Sequence, residues 1–205
     1  MKTNLLTIIF ILLLAFAFTG CGEKSDEAQS VGAYAEQGGE TLLDEARSAA
    51  LEANPSGQEF LLEDEGIFIM LPDESWVESS REEGCIGFSS AAGLINVYYG
   101  DDDGTAFEAV PESEADARKI LEGAQIPEEW AEFLSFDSHQ EGDSKIYSYT
   151  IRFSIPYDDG SESVFYTVSK SVCRKDKVFV AVGQIYDEGA VEECETALKS
   201  FVVIE

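Results

Sequence analysis

The sequence predicts an α+β fold in which a single antiparallel β-sheet has helices packed on its faces. Strand-like segments follow one another through short turns, as they do in antiparallel hairpins. Segments with helical periodicity stand between these strands and are expected to cover the sheet. From residue 58 onwards about 148 residues are available, which is enough for one hydrophobic core.

The chain divides into three predicted parts: a signal peptide at 1–20, a flexible tether with a short helix at 21–57, and a globular domain at 58–205. Residues 22–39 are rich in Gly, Ser, Glu and Gln and have no apolar period. Leu and Ala recur at helical spacing over 40–53, and the pair Asn54-Pro55 ends that helix.

The first half of the domain contains two predicted hairpins. The segment "EFLLEDEGIFIMLP" has two short apolar runs around the turn 63–66, and Pro72 closes the second run. The next pair of strands is 85–89 and 94–99, joined through Ala91-Ala92-Gly93. Consecutive hairpins of this kind predict neighbouring antiparallel strands.

The middle of the domain is predicted to be helical. Ser113 and Asp116 form a capping box, and apolar residues follow at helical spacing up to Ala124. Pro127 is expected to start a second short helix. That helix carries three large apolar residues: Trp130, Phe133 and Leu134.

The last third has the clearest pattern. Apolar and polar residues alternate over 147–155, so this strand should bury one face. Turns at 158–160 and 174–177 lead into strands at 164–172 and 178–185. Asp187 is predicted to cap a helix through Lys199, and an apolar segment at 201–204 ends the chain.

From Phe68 on, this order of elements resembles the PsbP-like fold family. The resemblance lies in "IFIMLPDESW", "IGFSSAAGLINVYYGDD", the strands around "YDDGSES", and "ALKSFVVIE". It implies a PsbP-like α/β/α sandwich over about two-thirds of the chain, with residues 22–57 outside it. These are packing motifs, so the resemblance implies no catalytic residue.

A cysteine follows the apolar N-terminal segment directly. Residues 5–18 are apolar except for Thr7, and Thr19-Gly20 precede Cys21. This seam resembles the lipobox of bacterial lipoproteins, although Phe18 stands where Leu is usual. The resemblance implies that Cys21 is acylated and holds the chain in the bilayer. We therefore expect a lipid-anchored, outward-facing protein of the bacterial cell envelope.

The chain is strongly acidic, with 13 basic and 41 acidic residues and a net charge of −28. Without residues 1–20, which contain Lys2, the net charge is −29. Such a charge repels nucleic acid and anionic head groups, so nucleic acid is excluded as a partner. Because the acidity is spread along the chain and not concentrated in one block, it is interpreted as a means of solubility; the alternative is binding of cations or of a basic partner.

One predicted turn is basic, although the chain as a whole is acidic. Arg174, Lys175 and Lys177 fall within four positions between two predicted strands. These residues are the candidate partner-binding site for an acidic envelope protein or the phosphates of an envelope polymer. The alternative is an ordinary exposed turn whose cations are neutralised by neighbouring acids.

The remaining chemistry-bearing residues suggest no reaction. His139, the only histidine, is interpreted as an exposed loop or edge residue. The acidic loop after Gly100 departs from an EF-hand, because Ala106 stands at the sixth position. Cys194 is expected to be buried, and a bridge between Cys85 and Cys173 is left open. We expect no metal, cofactor or catalytic residue.

Three classes of function fit these observations. The first and favoured one is a non-enzymatic lipoprotein that binds a protein or assembles with an envelope complex. The second is a lipoprotein that binds a small ligand or a cation, although transport receptors usually close two lobes around a ligand. The third is a carboxylate-dependent hydrolase, whose acids cannot be chosen by spacing alone. A deep apolar cavity would favour the second class over the first.

Overall fold

The computed structural model describes the backbone of residues 36–204 and the side chains of residues 42–204. The predicted signal peptide, Cys21 and the predicted tether up to residue 35 lie outside the described residues. Within the described part of the chain, no helix combines the length and apolar character that a membrane crossing requires.

The described chain forms four α-helices and ten β-strands. The helices are α1 (Glu36–Ala53), α2 (Thr105–Ala109), α3 (Glu114–Gly123) and α4 (Val191–Lys199). The first five strands are β1 (Gln58–Leu62), β2 (Ile67–Leu71), β3 (Val77–Glu82), β4 (Cys85–Ser89) and β5 (Gly93–Asp101). The others are β6 (Ala131–Glu141), β7 (Ser144–Pro156), β8 (Glu162–Cys173), β9 (Lys177–Ile185) and β10 (Val202–Val203).

The α+β class is confirmed, but the expectation of a single sheet was wrong. The described strands form a seven-stranded sheet in the order β3-β4-β5-β9-β8-β7-β6 and a separate three-stranded sheet in the order β1-β2-β10. All strand pairs in both sheets are antiparallel. The chain leaves β2 at Pro72, which has no N–H to continue a ladder, and turns between Asp73 and Trp76.

The main core lies between the two sheets. Ile67, Ile69 and Leu71 of β2 pack in one cluster with residues of β4, β5, β8 and β9. Helix α4 closes this core, and Cys194 on its inner side is completely buried, as predicted. We call this side of the large sheet the α4 face.

Helix α1 packs on the outer side of the small sheet. Ala50 is 5% exposed and lies against Phe68 and Met70 of β2. Arg47 also donates to both carboxylate oxygens of Glu59 on β1, at 2.8 and 2.6 Å. The helix was predicted for 40–53 and is observed from residue 36; the domain boundary at residue 58 stays a prediction.

The two edge strands of the large sheet were not predicted. Strand β3 is exposed along its whole length, and Pro127 begins a single 3-10 turn (Glu128–Trp130) instead of a helix. Phe133 and Leu134 belong to β6, which is paired with β7 over almost its whole length. The predicted second helix was therefore wrong, because pairing with β7 outweighs the local helical spacing.

Candidate functional site

The face of the large sheet opposite α4 is only partly covered by helices. Leu121 of α3 packs with Ile151, Phe153 and Phe165 of β7 and β8. Towards the β3 edge, Val77 is 57% exposed and Leu94 is 38% exposed. We call this side the α3 face; it divides into a covered part over β6–β8 and an open part over β3–β5.

Strand register brings polar and apolar side chains together at the border between these two parts. Leu94 of β5 pairs with Gln184 of β9, and Asn96 pairs with Val182. Gln184 in turn pairs with Thr167 of β8. Because directly paired residues project from the same face of a sheet, these side chains all lie on the α3 face.

A pocket of about 40 Å³ opens at this border, and we call it the α3 pocket. Helix α3 and the segment before it form one wall, and strands β5–β9 form the floor. Its apolar lining comprises Pro111, Ala117, Leu121, Phe133, Tyr147, Tyr149, Ile151, Phe153, Phe165 and Val182, and its polar lining comprises Asn96, Thr167 and Gln184.

None of the described residues that line the α3 pocket carries a charge, although 26% of the chain is charged. Burial raises the pKa of Tyr147, and a neighbouring tyrosine adds to this effect. Burial also raises the pKa of Tyr149, against a weaker opposing effect of its hydrogen bond with Ser169. Both phenols therefore stay protonated near neutral pH, and the pocket stays uncharged.

Two amide side chains at the pocket are available for binding. Asn96 and Gln184 are half-buried, and neither side chain makes a hydrogen bond to another described residue. A primary amide carries both donors and an acceptor, so such a group can pair with another amide. Sequence reasoning missed this pair, since their proximity depends on the register of β5 with β9.

The α3 pocket is not the largest depression. A cleft of about 540 Å³ runs between Leu42 of α1, β10 and the β6–β7 turn. Its floor includes Lys170, whose Nζ donates to the carbonyl oxygens of Lys199 and Phe201 at 2.9 and 2.7 Å. Burial lowers the pKa of Lys170. This lysine satisfies carbonyls at the end of α4, which is a structural role.

The predicted basic turn lies at the β8–β9 hairpin. Lys175 is exposed, whereas Arg174 is half-buried, with its Nε donating to Ser144 Oγ at 3.2 Å and its guanidinium 5.7 Å from the ring centre of Phe179. Lys177 pairs in register with Asp101. Acidic groups thus adjoin the turn, as the second interpretation of these cations expects.

The acidic loop after β5 has a local structural role. Asp102 Oδ2 accepts from the backbone N–H groups of Gly104 and Ala106, at 2.8 and 3.0 Å. Asp103 Oδ1 accepts from the N–H and the hydroxyl of Thr105. These carboxylates satisfy amides at the start of α2.

The single histidine and the described cysteines lie away from the lining of the α3 pocket. His139 lies on edge strand β6, exposed, with its Nδ1 2.7 Å from Asp137. The described cysteines Cys85, Cys173 and Cys194 are all free thiols. Nothing in the described chain therefore joins His139 to a cysteine nucleophile.

The described chain is an α+β domain with one partly open sheet face and a small pocket at its border. The solution structure of cyanobacterial PsbP (CyanoP) from Synechocystis sp. PCC 6803 matches with a TM-score of 0.52 and 12% identity, covering 72% of this chain and 92% of that one. This likeness supports the PsbP-like fold that the sequence motifs implied, and at such identity it concerns the fold alone.

Other solved structures are similar only at a lower level. The Ran-binding protein Mog1p from Saccharomyces cerevisiae has a TM-score of 0.47 and 9% identity, covering 73% of this chain and 96% of that one. A Bacteroides thetaiotaomicron protein has a TM-score of 0.43 and 10% identity, with 73% and 49% covered. No protein-family model and no curated protein sequence matches the chain.

Proposed function

We propose that this chain is a lipid-anchored, outward-facing envelope protein whose domain binds a protein partner without catalysing a reaction. The apolar N-terminal segment that ends directly before Cys21 supports the lipid anchor. The open part of the α3 face supports the binding role, because an uncovered sheet face beside a shaped pocket offers a docking surface.

The uncharged lining of the α3 pocket is the observation that carries this proposal. The apolar walls belong to the buried core, but the half-buried amides beside them and the exposed side chains of Val77 and Leu94 on the same face are also uncharged, in a chain of net charge −28. Here the surface combines apolar walls with the unpaired amides of Asn96 and Gln184. Depletion of charge at the centre of a patch is typical of protein interfaces.

The size of the pocket favours a protein partner over a small ligand. Ligand sites for whole metabolites usually have volumes of about 300–1,000 Å³. The α3 pocket offers about 40 Å³. The cleft over Lys170 falls within that range, but its lining includes the charged residues Glu141 and Asp143, so it is not the deep apolar cavity that would favour a small-ligand receptor. Partner binding is therefore the better-supported class.

The anchor is tested with Cys21→Ser. The wild-type protein should incorporate radiolabelled fatty acid and sediment with membranes, and the variant should lose both properties. Acyl labelling that persists in the variant would refute lipidation at Cys21.

The binding role is tested with a photo-crosslinking amino acid that is introduced into the membrane-anchored protein with Cys21 intact. The reactive residue replaces Gln184 at the pocket or, as a matched control, Gln140 on edge strand β6. Gln140 is exposed and donates to the Gly142 carbonyl. A discrete adduct at position 184 but not at position 140 is expected. Equal adducts, or none at position 184, would argue against the proposed surface.

A further inference from the structure

The α3 pocket has the dimensions of an aliphatic side chain. Its volume of about 40 Å³ exceeds the roughly 10–15 Å³ that one water needs. It falls well below the roughly 150 Å³ of a cavity that binds benzene. The pocket therefore has room for the branched end of a Leu, Ile or Val side chain and not for an aromatic ring or a sugar.

The walls of the pocket suit such a group. Ala117 and Leu121 of α3 are 5% and 6% exposed, and they face Phe153 and Phe165, which are 2% and 3% exposed. The two aromatic rings are stacked with centres 5.0 Å apart. These side chains hold one another in place, so a bound methyl group would meet a preformed apolar surface.

The two unpaired amides have the spacing of an extended peptide. Gln184 pairs with Leu94, which is two residues from Asn96 on β5, so Asn96 and Gln184 are diagonal neighbours. Diagonal neighbours of this kind are about 7–8 Å apart. An extended chain rises about 3.3 Å per residue, so alternate peptide groups recur at nearly the same distance. A backbone segment can thus meet both amides at once.

The charges of this chain indicate which charge the partner should carry in and around the bound segment. A carboxylate, phosphate or ammonium in the pocket would lose its hydration without gaining an opposite charge from the lining. Outside the pocket the chain is strongly acidic, with a net charge of −28. Electrostatic complementarity therefore favours a partner surface that is basic around an uncharged contact segment.

We infer that the α3 pocket receives one aliphatic side chain from an extended, uncharged segment of a basic partner protein, while Asn96 and Gln184 pair with that segment's peptide groups. This inference rests on the proposed function and specifies the chemistry of its partner. It makes α3 a wall of the binding site as well as a cover for the sheet.

The test uses blocked amino acids and the mature chain, residues 21–205 with Cys21→Ser. N-acetyl-leucinamide is titrated while the side-chain amide resonances of Asn96 and Gln184 are followed by NMR. We expect saturable shifts at both residues and at least fivefold weaker binding of N-acetyl-alaninamide, N-acetyl-phenylalaninamide and the free acid N-acetyl-leucine. Equal binding of all four compounds, or tighter binding of the phenylalanine compound, would overturn the inference.

Two variants with matched controls test the geometry. Ala117→Leu should fill the pocket and abolish the leucinamide shifts, whereas Ala124→Leu, at the residue that directly follows α3 and outside the lining, should keep them. Gln184→Met keeps the volume but removes the amide, and should weaken binding two- to tenfold. Gln140→Met is its control. Because residues 140 and 184 are not core positions, this second pair remains informative if Ala117→Leu fails to fold.

The outcomes separate this inference from the proposed function. A crosslinked adduct at position 184 in membranes, without selective binding of the leucinamide compound, would be consistent with the proposed function and would refute this inference. Selective binding of the leucinamide compound without any crosslinked adduct would refute the proposed partner-binding function. Concentration-dependent self-association that Ala117→Leu abolishes would identify a second copy of this chain as the occupant and overturn the assignment to a different protein.

Discussion

Close contact between two residues of the core illustrates what the sequence could and could not predict at the residue scale. The apolar stripe of α4 predicted the burial of Cys194. It could not predict that Cys194 faces Gly183 of β9, where an added Cβ would lie 2.5 Å from the Cys194 sulfur. Periodicity tells which side of an element is buried, but the partner depends on how α4 crosses the sheet.

This contact predicts a coupled pair of substitutions. Gly183→Ala should reduce the free energy of unfolding by about 1–3 kcal/mol, because it overpacks a filled site. In a Cys194→Ala background the same change should cost less, since the sulfur that obstructs the new methyl group is gone. Denaturant unfolding of the four proteins measures the coupling. Strictly additive costs would show that the contact with Cys194 is not the source of the strain.

Buried thiols predict a loss of stability at high pH. Burial raises the pKa of Cys173 and of Cys194 from an ordinary value of 9.0 to about 12. In the unfolded chain both thiols release protons first, so their contribution to stability is complete below pH 9 and is lost as pH rises towards 12. Burial lowers the pKa of Lys170, which acts in the opposite direction just below its ordinary value of 10.5.

The measurement is the free energy of unfolding between pH 8 and 11. We expect a net decrease, because the pKa values of Cys85 and of several tyrosines are raised as well, so the groups that lose stability with rising pH outnumber the one lysine. Cys194→Ala should make the decrease less steep, whatever its effect on stability at pH 8. Parallel curves for the variant and the wild-type chain would contradict the assigned cause.

Elements with a buried face were predicted well, and the two edge strands of the large sheet were not. The β1–β2 and β4–β5 hairpins, the long strands β7–β9 and the capped helix α3 all match their sequence patterns. Ser113 Oγ accepts from the Asp116 N–H at 3.3 Å, as the capping box required. Strands β3 and β6 have one neighbour each and largely exposed residues, so no alternating pattern indicates them.

Helix α1 is the element whose place in the fold is open to a direct test. We expect residues 57–205 to unfold cooperatively, as the domain boundary predicts, but with a lower melting temperature than residues 21–205. Removing α1 uncovers one side of Phe68 and Met70, and complete burial of one such side chain contributes about 1.5–3 kcal/mol.

A chain that lacks only residues 21–35 is the control and should keep the melting temperature of residues 21–205. An unchanged melting temperature for residues 57–205 would assign α1 to the tether. A molten product would instead make α1 part of the core.

For the whole molecule, the fold class could be predicted and the candidate site could not. The succession of hairpins with helices between them defines an α+β protein, and local pattern is enough for that even though it missed β3 and β6. The α3 pocket requires α3 to stop over β7 and β8, and it requires Asn96 and Gln184 to meet through register. These are long-range relations, which hydrophobic periodicity does not encode.

The distribution of charge over the molecule gives the last prediction, which compares the basic turn with the α3 pocket as docking surfaces. The double variant Lys175→Glu with Lys177→Glu reverses the charge of two residues in the turn. It leaves Arg174, which packs on Phe179, unchanged. Because Lys177 lies directly opposite Asp101, the reversal creates a like-charge pair and should cost about 0.2–1 kcal/mol of stability. If the pocket is the docking surface, crosslinking through position 184 in the full-length chain should stay unchanged within about twofold. Lys119→Glu on α3 is a control for charge reversal elsewhere on the surface, with half the change in net charge, since its exposed pair with Asp116 contributes little. Crosslinking that falls in the turn variant and persists in Lys119→Glu, at an equal melting temperature, would transfer the docking surface to Arg174, Lys175 and Lys177, where a partner with acidic or phosphate groups would bind.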